Sequence, residues 1–318
     1  MNTRALFYLK ETKELTKAVL SLYNAGVCTL MYCHGCPSPT LLNSLSVMSG
    51  SFLMACSTQA LNQAYEAPID KIMTRTMRRP IPSGTIPRSA AVAIGLSLGG
   101  ASLALLAPLG YMTQLTALSI WSGYLMIYTP LKRVTRFSTH IGSIAGAAPV
   151  YLGWVAGTGT FYGLDPFLMG LFMAAWQFPH FYGILWTYKQ DFLKGGYKMI
   201  TNVDPNGIKT SRGNKIAALS QLFATIGMGY TGMIHPLFVP VAIWYNWTPV
   251  KAALEHFQAF PNAMTGHKLT IVSYRLIGTL FLVLFGTIAW RKAMEWVKEV
   301  KERTDQEHRK YEDYKASS

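Results

Sequence analysis

Nine apolar runs, most of them near twenty residues long, limit this chain to a bundle of helices in a lipid bilayer. They lie at about 15–33, 41–61, 88–107, 114–131, 138–157, 166–187, 214–233, 236–250 and 269–290. Crossing the hydrocarbon core takes about 20 helical residues, and a backbone inside it must satisfy its own hydrogen bonds, so such runs read as transmembrane helices. Hydrophobic residues make up 50% of the 318, charged ones only 14%, and the mean hydropathy is +0.21, too apolar for an ordinary soluble domain of this size.

The basic residues test that count independently. Arg4, Lys10 and Lys13 precede the first run and Lys17 stands at its edge, while Lys71, Arg75, Arg78 and Arg79 separate the second from the third, which Arg88 opens. Lys132, Arg133 and Arg136 separate the fourth from the fifth, and Lys189, Lys194, Lys198, Lys209, Arg212 and Lys215 the sixth from the seventh. The loops between, near 34–40, 108–113, 158–165 and 234–235, hold no Lys or Arg. Alternation of this kind predicts an all-α polytopic protein with nine spans around a central cavity, its N-terminus and charged loops on the non-translocated side. The net charge of +14 then reflects orientation and an anionic substrate, and no nucleic-acid motif accompanies it. The chain divides into an N-terminal segment, 1–14, a membrane domain, 15–290, and a charged tail, 291–318, to which no chemistry is assigned. Glu11 and Glu14 are out of place in a transit peptide, and no signal-cleavage pattern is present.

The chemistry concentrates where charge enters the apolar domain. Asn62, Glu66 and Asp70 recur every four residues, which aligns them on one helical face over a rise of about 12 Å. They offer oxygen ligands only, a donor set suited to Mg2+, which substrate phosphates usually complete. Arg75, Arg78 and Arg79 follow at once, and guanidinium groups grip phosphate oxygens bidentately. A solvated loop of mutually neutralising charges is the bland alternative, and the membrane setting weighs against it. Pro68, lacking an N–H, is expected to kink or end the helix. Lys132 and Arg133 form a second basic cluster on the same side. Between Asp70 and the tail the only acids are Asp165, Asp191, Asp204 and Glu255. Asp191, followed by Lys194, is therefore the natural second carboxylate for a shared metal–diphosphate group.

His140 opens the fifth run, and His180 stands among Trp176, Phe178, Phe181 and Tyr182 at the end of the sixth. Such a histidine can ligate iron, shuttle a proton or simply hydrogen-bond a neighbour. Cys33 and Cys36 have the spacing of half a zinc site, but no second pair exists.

Asn62-x3-Glu66-x3-Asp70-x2-Met73-x-Arg75-Thr76-x2-Arg79-Pro80-x3-Gly84 resembles the signature of the haem O synthases, a branch of the UbiA-type intramembrane polyprenyltransferases. Four further motifs match in order: Tyr128-Thr129-Pro130-Leu131-Lys132-Arg133, Ile141-Gly142-Ser143-x2-Gly146-Ala147, Pro179-His180-Phe181 and Asp191-Phe192-x2-Gly195-Gly196-x2-Met199. The likeness spans roughly residues 8–290 and departs at Phe192, more usually Tyr, and at Lys198, where bacterial members tend to carry Pro.

The resemblance implies farnesyl transfer from farnesyl diphosphate to a vinyl group of haem B, with Mg2+ as cofactor. The catalytic set implied is Asn62, Glu66, Asp70, Arg75, Arg79 and Asp191, with Asn62, Glu66, Asp70 and Asp191 on the metal. Arg75, Arg78, Arg79, Lys132, Arg133 and Lys194 would hold diphosphate, and His180 or His140 the haem. It also implies a place in the mitochondrial inner membrane, charged loops in the matrix, and a haem A synthase downstream. A prenyltransferase acting on a quinone precursor or chlorin is the nearest alternative, and a haem or anion carrier a more distant one.

Overall fold

The computed structural model describes residues 3–317, with side chains given at all of these except 3–5, 245–246, 248–249, 252 and 307–317. Among the described residues there is no strand. The helices are α1 (Thr3–Leu15), α2 (Ala18–Gly35), α3 (Leu41–Asp70), α4 (Arg88–Leu106), α5 (Tyr111–Ser122), α6 (Thr129–Val134), α7 (Ser138–Thr158), α8 (Leu164–Thr187), α9 (Lys189–Lys194), α10 (Ile208–Tyr230), α11 (Phe238–Ala259) and α12 (Ala263–Ser317). A π-helical turn, Gly123–Tyr128, joins α5 to α6, so the two form one rod. Each apolar run thus lies on a long helix, and Leu41–Asp70, Arg88–Leu109 and Ala263–Gln306 are long and apolar enough to cross a membrane on those grounds alone.

Small residues set the helix spacing. Gly95 lies against the Leu61 side chain and Gly50 against Leu106, which brings α3 and α4 together. Ser57 and Ser102 then hydrogen-bond across that interface to the carbonyls of Gly95 and Gly50, at 2.7 and 2.6 Å. Gly153 lets α7 approach the Cys28 carbonyl of α2. Such close backbone contact with interhelical hydrogen bonds is how helices associate where lipid supplies no hydrophobic drive. The largest buried cluster, which includes Met31, Val150, Met169, Phe172, Met228 and Leu280, joins α2, α7, α8, α10 and α12.

Pro68 does not itself end α3, which runs through it and stops two residues later, at Asp70. Its missing N–H orphans the carbonyl four residues back, and that carbonyl, of Ala64, instead accepts from Arg88 Nε at 2.8 Å. Glu66 and Asp70 therefore remain on one continuous helix. At the other end of the chain, α12 continues for 55 residues from the ninth run into the tail without interruption, a rod of about 80 Å. No helix break marks residue 291.

Candidate active site

The last turns of α3 bury their polar side chains. Asn62, Glu66 and Asp70 are 2%, 6% and 2% exposed. Each meets a specific partner. Asn62 Nδ2 donates to Thr129 Oγ1 at 3.1 Å, and that hydroxyl donates to the Tyr124 carbonyl at 2.9 Å across the π-turn. The turn shifts the register of α6 relative to α5, and π-turns recur at functional sites. Lys132, on α6, donates from Nζ to Glu66 Oε1 at 3.0 Å and lies 4.7 Å from the Tyr128 ring centroid. Tyr197 Oη donates to the same Glu66 oxygen at 3.0 Å. Burial and the Glu66 carboxylate both push the Tyr197 phenol above the usual tyrosine range, so it stays a donor.

Asp70 Oδ2 pairs with Arg79 at 2.8 Å, with the side chains 2% and 12% exposed. The segment between them turns back over α3, closed in part by Thr76 Oγ1 donating to the Asp70 carbonyl at 3.1 Å. Asp191 arrives from α9 and accepts the backbone N–H groups of Thr74 and Arg75, at 3.2 and 2.7 Å. Asp70 and Asp191 thus meet through one loop at one end of the bundle. Burial opposes ionisation of Asp191, but the Arg75 and Thr74 hydrogen bonds and the Lys194 charge outweigh it and hold the carboxyl below its usual range. Arg75 lies over Tyr188 and Phe192, 5.3 and 5.7 Å from their centroids. Met73, Tyr182, Leu185, Phe192, Tyr197 and Met199 pack beneath as one cluster, fixing the two loops together.

Asn62, Glu66, Asp70, Arg79 and Lys132 therefore form one group, joined to Asp191 and Arg75 through the loop backbone. Arg78, Arg133 and Lys194 are exposed, and among the described residues none is in an ion pair. His140 is exposed beside the Phe178 ring, 5.1 Å between centroids. His180 faces Ser273 and Tyr274 of α12. No hydrogen bond among the described residues ties either histidine to the acid face. The Cys33–Cys36 pair is free, as are Cys28 and Cys56.

Two participants escape motif reading. Tyr197 stands out only once the fold brings it to Glu66 from 131 positions away. Lys17 caps α2 in left-handed backbone, φ 43°, the one non-glycine with positive φ among the described residues, and lies within electrostatic range of Glu66, Arg79, Lys132 and Arg75. Its only signal in the sequence is membership of the first basic group. Left-handed conformations at non-glycine residues persist where surrounding structure imposes them, often at functional sites.

Asn62 Oδ1, Glu66 Oε2 and Asp70 Oδ1 accept no hydrogen bond among the described residues, and each Asp191 oxygen accepts one, which leaves it a further lone pair. No three His, Cys, Asp or Glu side chains among the described residues form a metal cage. Three oxygens on one helical face, with substrate phosphates and water completing the shell, nevertheless fit Mg2+ chemistry. Beside this face a cavity of about 90 Å³ is lined by Gln59, Thr58, Tyr124, Met54 and Gly146, and an open apolar groove of about 420 Å³ lies between α5, α7 and α8.

Residues 22–261 match the UbiA prenyltransferase family. The chain belongs to that family. A relative from Rhodopirellula baltica, named protoheme IX farnesyltransferase, is 31% identical over 86% of this chain and 94% of its own length. One from Solibacter usitatus with the same name is 36% identical over 68% of this chain and 75% of its own. A mitochondrial protoheme IX farnesyltransferase from Emericella nidulans is 32% identical over 68% of this chain and 46% of its own. Among solved structures, a digeranylgeranylglyceryl phosphate synthase shares the fold with a TM-score of 0.63 at 19% identity, covering 88% of this chain and 97% of that one. A UbiA homolog from Archaeoglobus fulgidus bound to GPP and Mg2+ does so with a TM-score of 0.59 at 14% identity, covering 86% and 99%. The UbiA fold thus places the acid face of α3 within a membrane-embedded all-helical prenyltransferase.

Proposed function

We propose that the chain transfers the farnesyl group of farnesyl diphosphate to a vinyl group of haem B, giving haem O. The observation that carries this is the match, along nearly the whole length of both chains, to the Rhodopirellula baltica protoheme IX farnesyltransferase. The site has the chemistry the transfer needs. As the allylic C–O bond breaks, its electron pair leaves on the diphosphate, and Arg75, Arg79 and Lys132 stabilise the growing charge, with Arg78, Arg133 and Lys194 drawing the anion to the same face. Vinyl π electrons close the new C–C bond on the farnesyl carbon, and water adds to the other vinyl carbon and releases a proton. Asn62, Glu66 and Asp70 would hold Mg2+, which neutralises the leaving group, while Asp191 fixes the loop that aims Arg75. The apolar groove offers the prenyl chain a slot open to lipid, and aromatic rings near the site, Tyr124 and Tyr128 among them, can shield a cation.

The compartment we assign is the mitochondrial inner membrane, charged loops in the matrix, with a haem A synthase receiving the product. The Emericella nidulans relative supports this, as does Gly195-Gly196-Tyr197, which resembles mitochondrial rather than bacterial members of the family; the other relatives named above are bacterial. Purified chain given farnesyl diphosphate with haem B or with 4-hydroxybenzoate, followed by chromatography, tests the activity. Haem O from the first mixture alone is expected, lost on chelation and restored by Mg2+. Prenylated 4-hydroxybenzoate without haem O would replace this acceptor with a quinone precursor.

A further inference from the structure

His180 belongs to a second polar arrangement, where α8 meets α12. Its Nδ1 lies 3.0 Å from Ser273 Oγ. Ser273 is fully buried, and its hydroxyl already donates to the Thr270 carbonyl at 2.6 Å. A hydroxyl has one proton, so while that proton is given to the Thr270 carbonyl the oxygen accepts toward His180, and the proton between them sits on Nδ1. In the neutral ring the lone pair is then on Nε2, which takes no hydrogen bond among the described residues. The ring cannot easily turn to exchange its nitrogens. Trp176 stacks on it at 5.2 Å and 18°, Tyr274 meets it edge-on at 5.0 Å, and the Trp176 indole N–H donates to the Ser273 carbonyl. One residue of α12 therefore anchors both rings.

We propose that Ser273 is a positioning residue that sets the His180 tautomer and presents its bare Nε2 to the iron of the tetrapyrrole acceptor. The proposal rests on the haem-acceptor reading above. A ligating histidine ordinarily donates its other N–H to a fixed acceptor, which orients the ring and raises its basicity. A histidine serving packing alone has no need of one nitrogen committed and the other left open.

Full-length chain in detergent, titrated with ferric haem B and followed by absorption and electron paramagnetic resonance, is expected to give a histidine-ligated spectrum. Ser273→Ala should weaken haem binding roughly ten- to a hundredfold and raise KM for haem B while leaving KM for farnesyl diphosphate alone. Ser273→Thr, which keeps the hydroxyl, should restore both. Should Ser273→Ala fail to insert, Ser273→Cys, similar in size but a weak acceptor, carries the same expectation. Unchanged affinity and spectrum in the Ser273 variants, while wild type still farnesylates haem B, overturns the proposal alone. Wild type that neither binds nor farnesylates haem B removes the acceptor reading, and the proposal with it.

Discussion

Glu66 and Lys132 are nearly withdrawn from solvent, their side chains 8% and 13% exposed, and each makes the other's charge tolerable. Removing one partner of a buried pair strands the other, at a cost of about 3–5 kcal/mol, whereas removing both is often close to neutral. Lys132→Met is therefore expected to lower the thermal midpoint and abolish turnover. The Glu66→Gln, Lys132→Met double variant should recover most of the midpoint and none of the turnover. A double variant as unstable as the single would mean the pair does not carry this balance. Asp191 makes a pH-dependent contribution. Its carboxyl titrates lower in the fold than when unfolded, so the unfolded chain binds more protons near that range. Stability from this group is complete above the ordinary carboxylate value of about 3.9 and fades as pH falls through the depressed one. Asp165 is depressed too, at the end of the chain's other loop set, where burial is outweighed by its 2.6 Å contact with His34 and by neighbouring groups. The difference between wild type and Asp191→Asn in melting midpoint from pH 6 to pH 3 isolates the Asp191 share, and it should shrink towards acid. A constant offset would separate Asp191 from the acid limb.

At the scale of the element, Pro68 is a weakness that α4 repairs. Arg88 supplies the hydrogen bond the proline cannot, so Arg88→Met should leave the Ala64 carbonyl orphaned and cost about 1–3 kcal/mol. Pro68→Ala in that background restores the intrahelical donor and should recover the loss; additive losses in denaturation of the two single variants and their combination would dismiss the link. This is where the sequence is least readable. The runs of apolar residues are legible because bilayer thickness and backbone hydrogen bonding act on each span separately, and the i, i+4 spacing of Asn62, Glu66 and Asp70 is legible because helix geometry is local. The repair of Pro68 is not, since its donor lies 24 positions beyond the carbonyl it serves. The same limit hides Tyr197 and Lys17, which join the acid face only through tertiary placement. The π-turn of 123–128 leaves no periodic trace, because one widened turn shifts the register of everything after it. The charged tail reads as a separate segment by composition, yet good helix formers such as Glu, Lys, Arg and Ala let α12 run on through it.

For the whole molecule, the asymmetry of charge and the placement of the site are one property. On the proposed function, diphosphate and Mg2+ would arrive from water while the farnesyl chain and the acceptor's flat ring favour the apolar bundle, which requires the acids of α3 and α9 to share a face with the bases that draw the anion. The loop containing Arg75 and Arg79, bound to Asp191, already couples the second and fourth of the basic groups at one end of the fold. That end should be reachable from a single side of a sealed vesicle. With the four native cysteines replaced, Ser83→Cys and Asn206→Cys should react with a membrane-impermeant maleimide from one side. Tyr111→Cys, at the start of α5, and Tyr162→Cys, in the loop before α8, whose parent residues are 70% and 87% exposed beside stretches without Lys or Arg, should react only from the other. If Tyr162→Cys labels from the same side as Ser83→Cys, an odd number of crossings between residues 83 and 162 is excluded, and the nine-span arrangement fails with it.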